Sequence, residues 1–261
     1  MSSTSRIERV RPAVVEFEGG RTWIADPSEL IQRASHALVL EEGIWLIDPV
    51  DAPGITALID DLGPVAGVVV LLDRHTRDAA AFANRYDCSV WIPERFDGVS
   101  KKLDAPIERF DDTGGVRSAG ERSDVERFDG ERSDVKRSDG ERSDGFATLG
   151  DSRLEAFVVG DSRLFRETGL YDPELGTLVV PETLGTAAYF RTGAERLGVN
   201  PLRRFKPPRS RFESFEPERV LVGHGRPVTT DATEALHYAL EGTRRRIPRL
   251  YVEAFRRFLP I

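Results

Sequence analysis

The sequence predicts a layered α/β protein, and two observations carry that expectation. Val68-Val69-Val70-Leu71-Leu72 is an unbroken apolar run, the pattern of a strand buried on both faces. Around it, strand-like and helix-like segments alternate, as they do when helices cover a sheet. With 39% hydrophobic residues the chain also has enough apolar surface for a substantial core.

Residues 13–50 read as β-structure, with short apolar runs at 14–18, 36–40 and 44–48. Gly19-Gly20 and Glu41-Glu42-Gly43 supply the hairpin turns between them. Asp51-Ala52-Pro53-Gly54 opens a helix over about 54–62, with Pro53 where a first turn tolerates it. After the 68–72 strand come a helix over about 77–86 and a strand at 89–93. Further strands are expected at 153–159 and 175–180, with a strand end and turn at 169–174 between them. A short helix is predicted at 193–198, a loop around Pro207-Pro208 and a last strand at 220–222. A long amphipathic helix from about 231 to 258 closes the chain, interrupted or kinked near Pro248.

The stretch from Gly120 to Gly145 breaks this pattern: GERSDVERFD, GERSDVKRSD and GERSDG repeat with a period of ten. Between Val116 and Gly145 there are seven basic and nine acidic side chains, and Phe128 is the only large apolar one. Such a segment buries too little to offset the entropy of ordering it, so a disordered insertion is expected over about 112–147 within a single domain spanning 1–261.

Composition excludes several function classes. A net charge of −7 argues against a nucleic-acid binder, and no apolar run is long enough for a membrane span. The first residues lack the basic-then-apolar order of a signal peptide, so a cytoplasmic protein is expected. The lone Cys88 excludes an internal disulfide and a cysteine zinc cluster, and it reads as packing. Neither a nucleophile elbow nor a phosphate-binding glycine loop is present. With four histidines (His36, His75, His224 and His237), any metal site must lean on carboxylates; His36 and His237 read as structural.

Four features in chain order resemble the metallo-β-lactamase superfamily. A hairpin ends in Asp48; the buried run 68–72 enters the polar turn Asp73-Arg74-His75-Thr76-Arg77-Asp78. Glu167-Thr168-Gly169-Leu170-Tyr171 then precedes Leu178-Val179-Val180-Pro181-Glu182-Thr183-Leu184-Gly185, and Val220-Leu221-Val222 leads into Gly223-His224-Gly225. The resemblance implies a four-layer αββα sandwich. Four of the 37 basic residues are lysine, and this scarcity with an acidic surplus resembles salt-adapted archaeal proteins.

The family holds two divalent ions through a His-x-His-x-Asp-His signature, a third histidine, a bridging aspartate and a final Gly-His. Here two registers stand open. If Asp73 takes the first histidine's place, His75 takes the second and Arg77 replaces the aspartate. If Asp78 takes the aspartate's place, Arg74, Thr76 and Ala79 hold the histidine positions. Asp161 falls near the third histidine, Glu182 at the bridging aspartate, and His224 is unaltered. Arginine offers a metal no lone pair, so Arg74 and Arg77 are expected to pair with Asp78, Asp161 or Glu182 in place of ions. This points to a binding or regulatory module on the family fold, with a small anionic molecule as a possible ligand. The alternative is a hydrolase of ester, thioester or phosphoester bonds holding one divalent ion (zinc, manganese or iron). Its ligands would come from His75, Asp78, Asp161, Glu182 and His224, with Asp78 and His224 the catalytic candidates, and an oxygen-rich set would favour manganese or magnesium.

Overall fold

The computed structural model describes residues 11–113, 147–162 and 165–258. The repeat expected to be disordered lies outside the described residues. Seven strands form the first sheet in sequence order: β1 (Ala13–Phe17), β2 (Gly20–Ile24), β3 (Ala34–Leu40), β4 (Gly43–Ile47), β5 (Val65–Val69), β6 (Val90–Pro93) and β7 (Ile107–Phe110). β1 to β4 are antiparallel; β4 to β7 are parallel, and helices α1 (Ile55–Asp60) and α2 (Ala79–Tyr86) make the β4–β5 and β5–β6 crossovers.

The second sheet has the order β14-β11-β10-β9-β8, built from β8 (Ala147–Thr148), β9 (Glu155–Ser162), β10 (Phe165–Asp172), β11 (Thr177–Val180) and β14 (Arg219–Val222). A small ribbon, β12 (Leu184–Gly185) with β13 (Gly198–Val199), flanks it. Helices α3 (Ala232–Leu240) and α4 (Thr243–Phe258) end the chain. No described helix is long and apolar enough to cross a membrane.

Alternation along the strands sorts the core into three clusters. Trp45, Ile47, Val69 and Leu71 meet Ala156, Leu170, Val179 and Leu221 between the sheets. Leu46, Val68 and Val70 face the other way, against Ile55, Ile59 and Phe82 of α1 and α2. On the second sheet, Leu178, Val180, Val220 and Val222 pack on Ala235, Leu236 and Ala239 of α3. The layers therefore run helix, sheet, sheet, helix. The 68–72 run is apolar throughout because both its faces are covered, as its sequence implied.

Three local expectations fail for identifiable reasons. No helix forms at 193–198, where Leu197 enters the core and Glu195 is spent on Arg204 in a fully buried ion pair of 2.6 Å. The closing helix breaks at Gly242, which lies in the left-handed region (φ 64°), while Pro248 sits inside α4. β10 begins at Phe165, ahead of the expected 169–174 segment, because the polar run Arg166-Glu167-Thr168 is itself paired with β9.

His36 on β3 is 2% exposed and its Nδ1 lies 2.8 Å from the Thr22 hydroxyl. Burial pushes its pKa down to about 3. The unfolded chain takes up this proton near pH 6.5 and the folded chain only near pH 3, so stability present above the higher value is lost as pH falls. Between pH 7 and pH 5 His36 should remove about 2 kcal/mol. Urea unfolding of wild type and His36→Gln across that range checks this; equal slopes would assign the loss to other groups.

Candidate metal centre

Three strand ends converge at one edge of the sandwich. The turn after β5 brings His75, the segment after β11 brings Glu182, and the turn after β14 brings His224. One ligand atom from each lies within 4.8 Å of the others, a group that could hold a metal ion. Among the described residues it is the only such group of three or more histidine, cysteine or acidic side chains.

Each imidazole is fixed from behind. His75 Nδ1 lies 3.1 Å from Asp48 Oδ2, and His224 Nδ1 lies 2.8 Å from the Ile31 carbonyl oxygen. A carbonyl only accepts, so His224 Nδ1 carries a proton and Nε2 offers the lone pair in the neutral ring. Both Nε2 atoms point at Glu182 Oε2, at 3.1 Å from His224 and 3.6 Å from His75. Without a cation or a further proton between them, lone pairs would face a carboxylate. Ligand atoms about 2.0–2.1 Å from a tetrahedral zinc stand roughly 3.3–3.4 Å apart, and the two separations bracket that value. The donor set therefore fits one divalent ion.

Glu182 is itself braced. Its Oε1 accepts from Asn200 Nδ2 at 2.7 Å. Burial raises its pKa, but the two imidazoles, when each carries a second proton, outweigh burial and hold it at about 2. The backbone N–H groups of Glu182 and Thr183 donate to Glu167 Oε1 at 2.8 and 2.7 Å, and the Thr183 hydroxyl donates to Oε2. Glu167 is fully buried, which raises its pKa, and Arg203 opposes this from 3.6 Å. On the other side, Phe190 stacks on the His224 ring at 5.8 Å between centroids. Gly225 (φ 98°) permits the turn that carries His224, since a Cβ there would meet the Ala187 nitrogen and Thr186 Oγ1 at 2.4 Å.

The remaining candidates lie outside this group. Asp78 Oδ2 accepts from the Asp51 backbone N–H at 2.8 Å. Asp161 is 57% exposed and lies 3.5 Å from Arg95 and 3.8 Å from Arg166. The Asp73 backbone N–H donates to the Arg166 carbonyl, and Arg74 is exposed with its guanidinium 5.3 Å from the Phe165 ring centre. Among the described residues, Arg77 forms no ion pair in place of metal ions. Its guanidinium donates to the carbonyls of Ala34, Asp48 and Gly223 at 2.6, 2.9 and 3.3 Å. Nothing in the residue pattern marks Asn200 or the Ile31 carbonyl; Asp48 stands out as the hairpin's end, without its contact to His75.

The sequence matches no family model and no curated protein. Its structure does match solved ones. The metallo-β-lactamase FIM-1 from Pseudomonas aeruginosa, in a mono-zinc form, is 11% identical with a TM-score of 0.54, covering 92% of this chain and 97% of that one. The DIM-1 metallo-β-lactamase is 12% identical with a TM-score of 0.55, covering 91% and 99%. TTHA1623 in a di-iron-bound form is 18% identical with a TM-score of 0.50, covering 89% and 99%.

The chain has the metallo-β-lactamase fold. The resemblance read from the sequence is borne out at that level, and the candidate metal group on this fold is the His75-Glu182-His224 set. Because Glu167 holds the segment carrying Glu182, Glu167→Ala should strip three donors, two of them buried, of their acceptor and leave Arg203 without its counter-charge. A loss of about 3–5 kcal/mol in unfolding free energy is expected by urea titration; a change below about 1 kcal/mol would show that Glu167 does not brace the segment.

Proposed function

We propose that this chain is a hydrolase of ester, thioester or phosphoester bonds that holds one divalent ion through His75, Glu182 and His224. The observation that supports it is the tethering of both imidazoles through Nδ1, with both Nε2 atoms aimed at one carboxylate oxygen. Acceptors behind ligating histidines fix tautomer and ring orientation in metal sites. The feature that favoured a metal-free binding module was arginine within the signature, and Arg77 is committed to backbone carbonyls.

Two imidazoles and one carboxylate suit zinc or ferrous iron better than the oxygen-rich set expected from sequence. Three protein ligands leave positions open for water and substrate. A bound divalent ion would lower the pKa of its water toward neutrality and polarise the scissile bond. The chain's own part is orientation: Asp48 and the Ile31 carbonyl hold the rings, Asn200 holds the second oxygen of Glu182, and Phe190 stacks on the His224 ring.

Elemental analysis of protein purified without chelators or an affinity metal column, then reconstituted with each ion, should find about one ion per chain. His224→Ala and Glu182→Ala should abolish binding, and Asp48→Asn should weaken it about 10–100-fold. Hydrolysis of chromogenic ester, thioester and phosphodiester substrates should follow metal content. No binding under any reconstitution would refute the reading, and stoichiometric binding without turnover would leave a metal-dependent binding module in its place.

A further inference from the structure

A second cleft is lined by none of the three candidate ligands, although Thr186 and Gln32 on its wall bond to the His224–Gly225 turn. It has a volume of about 510 Å³ and opens among the β2–β3 loop, the segment between β12 and β13, and the residues after β14. No acidic side chain lines it. Arg191, Arg196 and Arg226 do, in a protein whose net charge is −7.

Arg77, Arg95 and Arg204 have firm partners, while Arg211 Nη1 and Arg246 Nε, outside this cleft, are buried without a hydrogen bond among the described residues. Arg196 is partnered, with Asp231 at 3.3 Å and the Thr230 carbonyl at 2.6 Å. Among the described residues, Arg191 and Arg226 have no carboxylate partner, and Arg191 Nε is buried with no hydrogen-bond partner at all. A guanidinium only donates, so what is missing is an acceptor. A buried unsatisfied donor is destabilising and uncommon in native proteins. Arg226 is exposed on the same cleft, and an oxyanion is the natural partner for the two guanidinium forks. Ile24 and Val228 add an apolar wall, and the volume lies in the range of small-molecule sites.

From these we infer that the cleft binds a small phosphorylated molecule with an apolar body. Two uncompensated cations call for a dianion, and a phosphoryl group brings about that charge with three strong acceptors. The site stands independently of the proposed hydrolytic centre.

Phenylphosphonate, which has no ester bond to cleave, is the probe, read by calorimetry and thermal shift at mildly alkaline pH. Wild type should be stabilised saturably. Arg226→Gln, at an exposed position, should weaken binding about tenfold, and the Arg191→Gln/Arg226→Gln double variant should abolish it. Arg191→Lys should keep part of the affinity, separating charge from folding, and Glu182→Gln should bind like wild type. Binding lost in Glu182→Gln but kept in the double variant would place the ligand at the metal centre and overturn the inference. So would an absence of stabilisation in wild type. Equal or tighter binding of phthalate, a dicarboxylate of similar size, would overturn the phosphoryl assignment.

Discussion

One buried guanidinium ties the functional edge of the sandwich together. Arg77 reaches the carbonyl oxygens of Ala34 at the start of β3, Asp48 at the end of β4 and Gly223 at the end of β14. The first two belong to one sheet and the third to the other. Burial lowers the Arg77 pKa, but a guanidinium stays charged in proteins, so its donors must be satisfied where they lie. A lysine at this position would supply no planar fork for three divergent carbonyls. Arg77 (φ 40°) and Asp48 (φ 44°) both occupy the left-handed region without being glycine, a strain of order 1–3 kcal/mol each that the surrounding bonds must hold.

Each ligand inherits its position from a neighbour already fixed by that frame. The Asp48 carbonyl accepts from Arg77 and from Ser35 Oγ, while its carboxylate accepts from the Leu71 N–H and meets His75. His224 follows Gly223, whose carbonyl also receives the Ala34 N–H at 2.9 Å. Glu182 follows from a different pivot, the buried Glu167, opposed by Arg203. Two buried acids and two arginines thus set where the three candidate ligands stand, and neither arginine occupies the space between them.

Legibility in the sequence divided along physical lines. Burial on both faces leaves an apolar run, so β5 and its extension could be read, as could the paired hairpins and the turn at His224. Polar strands hide: Arg166-Glu167-Thr168 belongs to β10 because β9 pairs with it, which no periodicity records. The 193–198 segment had helical composition, yet the buried Arg204–Glu195 pair fixed it as a loop. At the site, His75, Glu182 and His224 were among the eight residues singled out, but sequence could not separate them from Asp78 and Asp161. The deciding partners were backbone carbonyls, of Ile31 for His224 and of Ala34, Asp48 and Gly223 for Arg77, and a carbonyl belongs to every residue alike.

Charge explains why an arginine within the signature and a metal-binding group can coexist. The carboxylates in contact with the two histidines are Asp48 and Glu182, and Arg77 lies against the Asp48 backbone. Two negative groups and one positive leave a local excess of one negative charge. A single divalent ion would reverse that excess to one positive. Two divalent ions would instead leave three positive charges beside a guanidinium that cannot lose its proton, in surroundings where uncompensated charge is strongly disfavoured. Arg77 therefore bears on the number of ions this edge can carry, and its presence is compatible with the three-residue set while weighing against a second cation beside it.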